Sequence, residues 1–418
     1  MQLVIFEDAG YVNLLPLVYT RATFDLRCGW SDLLSKFERL FETTADTLFV
    51  RNAIAPALRE RQSRPVNQTP SGDRQLWING RLLLRKSFSP AANSAAWQGD
   101  TLQAAFINAD IAARLTIETL LDNKRLKSAL SDCRDLSLPD ESVLIEYPWQ
   151  LIHQNEKEII RPFRPLEYAR RTDAKIYEGA HIIDKKNPVP IGAGSIVKPG
   201  AVLDADNGPI YVGRNVTISP NVTITGPCYI GDNCLIQSGA SIREGSSLGP
   251  YCKVGGEVEG CIFHGYSNKQ HDGFLGHSYV GEWVNLGADT VTSDLKNTYG
   301  PVKVPINGRL IDSGEMFVGT VFGDHAKTGI NTTLPTGCII GFASNVFLSK
   351  HPNKFVPSFS WQTDEDIQTN DPKRALSVAR KMAARRKREL SPVEESLFLS
   401  ILEESGRHEV LMTSAELG

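Results

Sequence analysis

The sequence has no long hydrophobic run and no excess of charge of one sign. None of its apolar stretches approaches the ~18 residues that a membrane-spanning helix needs, so we expect no membrane-embedded segment. The 418 residues carry 45 Lys and Arg against 48 Asp and Glu, which gives no reason to expect nucleic acid or an anionic membrane as the main partner. The opening segment MQLVIFEDAG lacks the basic start of a signal peptide and predicts a β-strand, and we expect a cytoplasmic protein.

The cysteines show no spacing that indicates a metal site. There are seven cysteines, an odd number, and none stands in a Cys-x-x-Cys or Cys/His spacing that would predict a zinc site, so we expect no metal there. Four of them occupy the small position of a six-residue repeat and are predicted to be buried fillers in a reducing compartment. These four are Cys228, Cys234, Cys252 and Cys338.

A repeat with a period of six residues dominates the middle of the chain. An aliphatic residue recurs at every sixth position from Val212 to Val254, which neither a helix nor a plain strand produces. Hexapeptide repeats are typical of parallel β-helices, so we predict a solenoid over residues 175–350. The predicted inward positions are Ile191, Val197, Leu203, Val212, Ile218, Ile224, Ile230, Ile236, Ile242, Leu248, Val254, Phe274, Val280, Leu286, Met316, Phe322, Leu334, Ile340 and Val346.

The segments before and after the repeat have other patterns. Residues 1–165 alternate apolar strands (3–6, 47–50, 76–79) with helical segments, the rhythm of a parallel α/β sheet. Residues 162–176 are predicted to connect this domain to the solenoid, and residues 351–418 to form a linker and a short helical tail. In parallel sheets, ligands bind beyond the carboxyl ends of the strands. The polar residues expected there are Asp8, Arg21, Arg27, Asn79 and Arg81, although surface arginines and turn residues explain the pattern equally well.

Candidate catalytic residues lie where the repeat is interrupted. The segment 267–278 contains Asn268, Lys269, His271, Asp272 and His277. A histidine can take a proton from an amine or a hydroxyl group, and lysine and amide side chains suit an anionic or polyhydroxylated substrate. Without further evidence, a polar surface loop is the simpler interpretation of the same residues.

Two motifs carry a resemblance to a known family. They are HDGFLGH, from His271 to His277, and NLGADT, from Asn285 to Thr290. With these motifs, residues 175–350 resemble the left-handed parallel β-helix acyltransferases. The likeness is strongest to the bifunctional N-acetylglucosamine-1-phosphate uridyltransferase/glucosamine-1-phosphate acetyltransferases. The resemblance implies a homotrimer that uses acetyl-CoA as co-substrate.

The resemblance also implies roles for single residues. His271 stands at the family's general base, Asn285 at a sugar contact and Ala288 at a backbone contact to the acetyl group. Phe274 and Asp294 stand where the family has Tyr and Asn. Further expected contacts are Asn268 and Lys269 with the sugar and its phosphate, and Thr320 with acyl-CoA.

Over residues 1–350 the chain is similar to GlmU-like sugar nucleotidyltransferases, which implies a GT-A/Rossmann-like first domain. That class begins with a glycine-rich loop that holds the triphosphate through backbone N–H groups. Here the first strand continues into FEDAGYVNLLPLVYTR, which contains one glycine and a single cation, Arg21. We therefore expect Mg²⁺ as a cofactor only if this domain is active.

Three functional hypotheses remain open at this point. The first is an acetyl-CoA-dependent acyltransferase acting on an amino-sugar phosphate such as glucosamine-1-phosphate. The second adds uridylyl transfer from UTP in the first domain. The third is a non-catalytic protein that binds a sugar nucleotide.

Overall fold

The computed structural model describes residues 1–161 and 173–409, which form two compact units. The first unit consists of Met1–Leu26, Ser31–Tyr147 and Ser391–Phe398. The second consists of Arg27–Trp30, Pro148–Leu390 and Leu399–Gly418. Most of the predicted connection, residues 162–172, lies outside the described residues, as do residues 410–418 of the predicted tail. In the described part of the chain, no helix is both long and apolar enough to cross a membrane.

The first unit is built on a six-stranded mixed sheet. The strands, in spatial order, are Thr47–Phe49, Gln2–Phe6, Gln75–Asn79, Thr101–Ile107, Ser94–Gln98 and Arg134–Asp135. Gln2–Phe6 pairs in parallel with both neighbours, as the alternating pattern predicted, whereas Thr101–Ile107 runs antiparallel to Gln75–Asn79. A smaller antiparallel pair joins Leu82–Leu83 to Val143–Leu144, and Ser31–Asp32 is a further short strand.

Short helices surround this sheet. Their bounds are Ala9–Leu14 and Thr23–Asp25 (both 3₁₀), Leu33–Leu40, Ala55–Arg61, Ala109–Ala112, Ile117–Leu120 and Asn123–Ala129. The helix at Leu33 begins after Asp32, whose carboxylate accepts a hydrogen bond from the Ser35 N–H and so satisfies one of the free donors of the first turn. A core of side chains that includes Phe6, Phe49 and Trp77 lies against the sheet.

The first compact unit is not identical to the predicted first domain, residues 1–165. The helix Pro148–Ile160 belongs to the second unit, so the main segment of the first unit ends at Tyr147. Arg27 lies in a short strand, Arg27–Cys28, that also belongs to the second unit. A sequence pattern cannot reveal such exchanges, because they depend on which core covers a segment.

The second unit is a triangular parallel β-solenoid with three faces. Face A consists of Lys175–Ile176, Ile196–Val197, Thr217–Ile218, Leu235–Ile236, Lys253–Val254 and Asn268–Lys269, then Asn285, Lys327–Thr328, Asn345–Phe347 and Ser360–Thr363. Face B consists of His181–Ile183, Val202–Asp204, Thr223–Thr225, Ser241–Ile242, Glu257–Glu259 and Phe274–Gly276, then Val291–Thr292 and Thr333–Leu334. Face C consists of Ile210–Val212, Cys228–Ile230, Ser246–Leu248, Ile262–Gly265, Tyr279–Glu282, Thr320–Phe322, Cys338–Ile340 and Phe355–Val356.

The predicted repeat fills the interior of this solenoid. All eight aliphatic positions from Val212 to Val254 are fully buried in one continuous core, together with the four predicted cysteines. Two predicted inward positions are wrong. Leu275, and not Phe274, points into the core, and Met316 is 44% exposed. In both places the chain has just completed an irregular turn, which shifts the register by one or more residues.

The solenoid also extends further than predicted. Phe355–Val356 and Ser360–Thr363 add parallel strands to faces C and A, so the segment after residue 350 is the last part of the solenoid and not a linker. Ile367–Thr369 then pairs antiparallel at its end. The excursion predicted at residues 291–315 is present and contains an antiparallel hairpin, Lys303–Ile306 with Arg309–Asp312.

Two helices follow the solenoid. Pro372–Ala384, here called the cover helix, buries Ala375, Leu376, Ala379 and Ala383. Pro392–His408 comes after it. Beyond it, the Glu409 carboxylate accepts hydrogen bonds at 2.6 Å from both the backbone N–H and the hydroxyl of Ser358. The predicted helical tail is therefore present, and it is anchored to the last coil.

One inward position of face A holds a charged residue. Lys269 pairs in register with Val254 and is 1% exposed, so its side chain enters the core instead of facing a substrate. Its ammonium group donates hydrogen bonds of 2.9 Å to the carbonyl oxygens of Gly255 and His271. Burial lowers the pKa of Lys269 to about 8.

This buried lysine makes stability depend on pH. Because its pKa is lower in the folded chain than the usual ~10.4, the unfolded state binds more protons between about pH 8 and pH 10, and wild-type stability rises across that window. Each pKa unit is worth about 1.4 kcal/mol. Lys269→Met, which carries no charge, lacks this contribution. We compare the free energy of unfolding of the variant with that of the wild type. Between pH 7 and pH 10, the variant should lose a few kcal/mol relative to the wild type.

Urea unfolding followed by circular dichroism at several pH values measures this difference. Lys198→Met, on the surface of an earlier coil, is the control and should show no such trend. A constant difference between Lys269→Met and wild type would contradict the buried-charge interpretation.

Candidate active site

His271 stands at the corner that joins face A to face B. The chain leaves face A at Lys269 and enters face B at Phe274, and His271 lies exposed in the turn between them. The turn is held from inside, because the Lys269 ammonium binds the His271 carbonyl oxygen. One coil later, the Asp289 N–H donates to the Asp272 carbonyl oxygen at 3.1 Å, so the two corners are stacked.

Phe274 and Asp294 meet on face B, above a glycine. A Cβ added to Gly276 would lie 2.1 Å from Asp294 Oδ2 and 2.6 Å from the Phe274 ring. Only glycine leaves room for the carboxylate and the ring to approach each other here. The structure therefore brings together the two residues that stand where the related family has Asn and Tyr.

His277 has a hydrogen bond from its ring to a carboxylate. Its Nδ1 lies 2.8 Å from Asp294 Oδ2, which fixes the ring and leaves Nε2 to exchange a proton. The His277 ring also stacks on Phe317, at 5.1 Å between ring centroids, and on His153 at 6.1 Å. Burial lowers the pKa of His153, and a charge on His277 would lower it further.

The predicted sugar contacts Asn268 and Asn285 lie on face A instead. They occupy successive coils, with Asn268 Nδ2 at 3.4 Å from Asn285 Oδ1. Lys327 occupies the next coil in the same register. The predicted site residues are thus divided between two faces, and His271 stands at the corner between them.

The two predicted acyl contacts lie at different corners. Ala288 lies in the corner turn after Asn285, one coil beyond His271, and its carbonyl oxygen accepts a hydrogen bond from the Asn331 N–H. Thr320 begins a strand of face C, and its backbone N–H donates to the Ser278 hydroxyl at 2.9 Å. The Thr320 side chain is fully buried, and its hydroxyl has no hydrogen-bond partner among the described residues.

In the first unit, the carboxylates at the end of the first strand are already paired. Asp8 accepts two hydrogen bonds from Arg81, at 2.7 Å from Nε and 2.6 Å from Nη2. Glu7 accepts one from Arg51 Nη1 at 2.7 Å, and burial raises the pKa of Glu7 despite this partner. Gly10 makes room for Arg81, whose guanidinium would lie 2.2 Å from a Cβ at that position.

The remaining predicted nucleotide-binding residues are also engaged within the chain. Asn79 donates to the Leu102 carbonyl oxygen, and Arg21 Nη1 donates to the Leu17 carbonyl oxygen at 2.6 Å. Arg27 is not part of this group. It lies in the second unit, where its N–H donates to the Tyr279 hydroxyl at 3.0 Å.

These contacts do not fit a Mg²⁺ site at the end of the first strand. Mg²⁺ needs carboxylate oxygens that are free to coordinate it, whereas both oxygens of Asp8 face Arg81. Across the described ranges, no group of three or more His, Cys, Asp or Glu side chains could hold a metal ion.

The sequence did not reveal the partners that complete these clusters. His277 was in the predicted segment, but its pairing with Asp294 depends on the 17-residue length of this coil. Lys327 lies two coils after Asn268 on face A, and the hairpin-containing excursion lies between them in the sequence. No short motif therefore connects the two residues. Arg386 Nη2 donates to Asn268 Oδ1 at 2.9 Å across 118 residues, and only the folded tail brings it there.

Comparisons with known proteins agree with this architecture. Residues 3–171 match the family model described as sugar nucleotidyl transferase, and residues 209–244 match that of the bacterial transferase hexapeptide with six repeats. A bifunctional sugar-1-phosphate nucleotidylyltransferase/acetyltransferase of Sulfurisphaera tokodaii is 36% identical over 98 residues, which are 23% of this chain and 24% of that protein. A bifunctional protein GlmU of Methanococcus vannielii is 32% identical over 115 residues, 27% of each chain.

The chain spans about a quarter of the length of these curated relatives. Among solved structures, a UDP-N-acetylglucosamine acyltransferase from Campylobacter jejuni aligns with 56% of this chain and 95% of its own, at 15% identity and a TM-score of 0.18. The chain thus has one segment that matches the sugar nucleotidyl transferase model and another that matches the hexapeptide-repeat model, and part of it is similar to GlmU-type bifunctional proteins.

Proposed function

We propose that the solenoid is an acyltransferase that moves an acetyl group from acetyl-CoA to the amine of an amino-sugar phosphate such as glucosamine-1-phosphate. The observation that carries this proposal is the position of His271. It is exposed at a corner between the face that bears Asn268 and Asn285 and the face that bears Phe274 and Asp294. Similarity to bifunctional nucleotidyltransferase/acetyltransferases supports the same class of reaction.

In this proposal, His271 is the general base. The imidazole takes a proton from the sugar amine while the amine nitrogen attacks the thioester carbonyl carbon. The C–N bond forms, the C–S bond breaks, and CoA leaves as a thiolate that takes up a proton. Backbone N–H groups near Ala288 would stabilise the oxyanion, as the family resemblance implies, and Asn285 would contact the sugar.

The variant His271→Ala tests this role. Loss of a general base typically lowers kcat by about 10²- to 10⁴-fold, so we expect a loss of that size in CoA release from acetyl-CoA and glucosamine-1-phosphate. His351→Ala, an exposed histidine beyond the predicted site, is the matched control. An unchanged rate in His271→Ala would exclude this residue as the base.

His277 is a second candidate for the base, favoured by its hydrogen bond to Asp294. The change Asp294→Asn keeps the size of the side chain and gives the residue of the related family, but removes the carboxylate. If the carboxylate orients His277 for catalysis, kcat should fall at least tenfold with little change in KM for the sugar. If Asp294 only contacts the sugar, KM should change instead, and the role for His277 would be rejected. Asp366→Asn, at an exposed position near the end of the solenoid, is the control.

The first unit is the candidate for a second role, the binding or transfer of a nucleotide. Its match to the sugar nucleotidyl transferase model favours a nucleotide-sugar ligand, and Mg²⁺ would be needed for turnover. The paired state of Asp8 and Glu7 favours binding without turnover, because neither carboxylate is free for a metal.

On resemblance alone, we also propose a homotrimer located in the cytoplasm.

An assay with acetyl-CoA, glucosamine-1-phosphate and UTP separates these activities. We expect CoA release and no pyrophosphate release. Pyrophosphate produced from UTP and N-acetylglucosamine-1-phosphate, with Mg²⁺ present, would establish the second activity and overturn the interpretation of the first unit as a binding domain.

A further inference from the structure

A cavity of about 250 Å³ lies between face A and the cover helix. Its floor is formed by the outward side chains of three successive coils, Asn268, Asn285 and Lys327. Its roof includes Arg385 and Arg386, which follow the last turn of the cover helix. The sequence motifs gave no sign of this cavity, because its roof and floor are more than 100 residues apart along part of the chain.

The cavity concentrates positive charge. Three cations, Lys327, Arg385 and Arg386, line it, and its lining includes no aspartate or glutamate. Within the described ranges, no ion pair joins any of the three to a carboxylate. Burial lowers the pKa of Lys327 to about 8. Burial first, and then the charges of Arg386 and Arg385, lower the pKa of Lys253 on the same face.

Such an arrangement favours a bound anion. Like charges held close together repel one another, and the partly buried cations Lys327 and Arg386 are stabilised by a partner of opposite charge, whereas Arg385 is exposed. The Lys327 ammonium donates to the His325 carbonyl oxygen at 2.7 Å, and Arg386 donates to Asn268, so both groups are held in place by neutral acceptors. Their charges remain available to a ligand.

The side chains around the cavity suit a phosphate group. Guanidinium groups bind phosphate oxygens in a planar, two-pronged manner, and lysine adds a compact charge. The amides of Asn268 and Asn285 can donate and accept hydrogen bonds, which suits the hydroxyl groups of an attached sugar. Trp283 provides an apolar wall. A cavity of this size has room for a phosphate and a ring-sized substituent.

We propose that this cavity binds the phosphate group of a phosphomonoester, held by Lys327, Arg385 and Arg386, with Asn268 and Asn285 facing the attached group. The inference deepens the proposed function, on which it rests for the nature of the ligand. It also gives the tail a role, because Arg385 and Arg386, directly after the cover helix, are two of the three cations.

Isothermal titration calorimetry of the full chain tests the proposal without turnover. The titrants are glucosamine-1-phosphate, inorganic phosphate, CoA and dephospho-CoA, at constant ionic strength. We expect saturable binding of at least one phosphomonoester, tighter than about 1 mM. Binding of CoA but not dephospho-CoA would identify the 3′-phosphate of CoA as the source of the phosphate, and binding of glucosamine-1-phosphate would identify the sugar phosphate.

Two variants tie the binding to this cavity. Lys327→Met and Arg386→Gln each remove one charged donor, which should weaken binding about 10- to 100-fold. Lys381→Gln makes the same charge change on an exposed part of the cover helix that does not line the cavity, and should bind like the wild type. Thermal unfolding of each variant checks that it is folded.

Two results would overturn the proposal. One is the absence of saturable binding of every phosphomonoester by the wild type. The other is wild-type affinity in both folded cavity variants. This binding test and the test of the proposed function can fail independently. If the chain binds phosphomonoesters but does not transfer acetyl groups, only the acyltransferase assignment is wrong. A chain that acetylates but binds none of them at the cavity would remove only this inference.

Discussion

The interior of the solenoid must be filled by one inward side chain per face in every coil, and most of the second unit depends on that constraint. Each coil buries its apolar residues only against its neighbours, so the column of aliphatic residues from Val212 to Val254 is continuous. Because the interior is closely packed, the outward residues of successive coils are held in register. Residues about one coil apart in sequence therefore become neighbours on a face.

The candidate active site uses this register. The pairs Asn268 with Asn285, and His277 with Asp294, each join residues separated by 17 positions. A corner turn between faces A and B then presents His271 to solvent. The interior also contributes, because Lys269 takes a core position and binds the carbonyl oxygens of His271 in this turn and of Gly255 in the preceding coil. Its buried charge is a cost to stability, offset in part by the rigid support it gives to the corner.

The segments on either side of the central repeat differ in how their charged side chains are paired. At the C-terminal end, the cover helix places Arg385 and Arg386 over the outward residues of face A and encloses a cationic cavity. In the first unit, by contrast, charges are neutralised internally. Asp8 with Arg81 and Glu7 with Arg51 form buried pairs at the end of the first strand. Among the described residues, the cations around the cavity thus have no carboxylate partner, whereas Arg81 and Arg51 of the first unit are paired.

The sequence by itself determined the solenoid, the parallel start of the first sheet and the segment that bears the candidate catalytic residues. Periodicity depends only on which side chains must be buried, and a six-residue period leaves one architecture. The sequence placed Phe274 and Met316 in the core wrongly, because an irregular turn resets the register by an amount that no local pattern encodes. Only the tertiary structure decided which residues meet. In the folded chain, the Lys269 side chain is buried and the His277 ring is hydrogen-bonded to Asp294. Arg27 belongs to the second unit, unlike the other predicted nucleotide contacts, and Arg386 donates a hydrogen bond to Asn268. These outcomes follow from coil length and from the path of the tail, which are properties of the packed chain and not of any short motif.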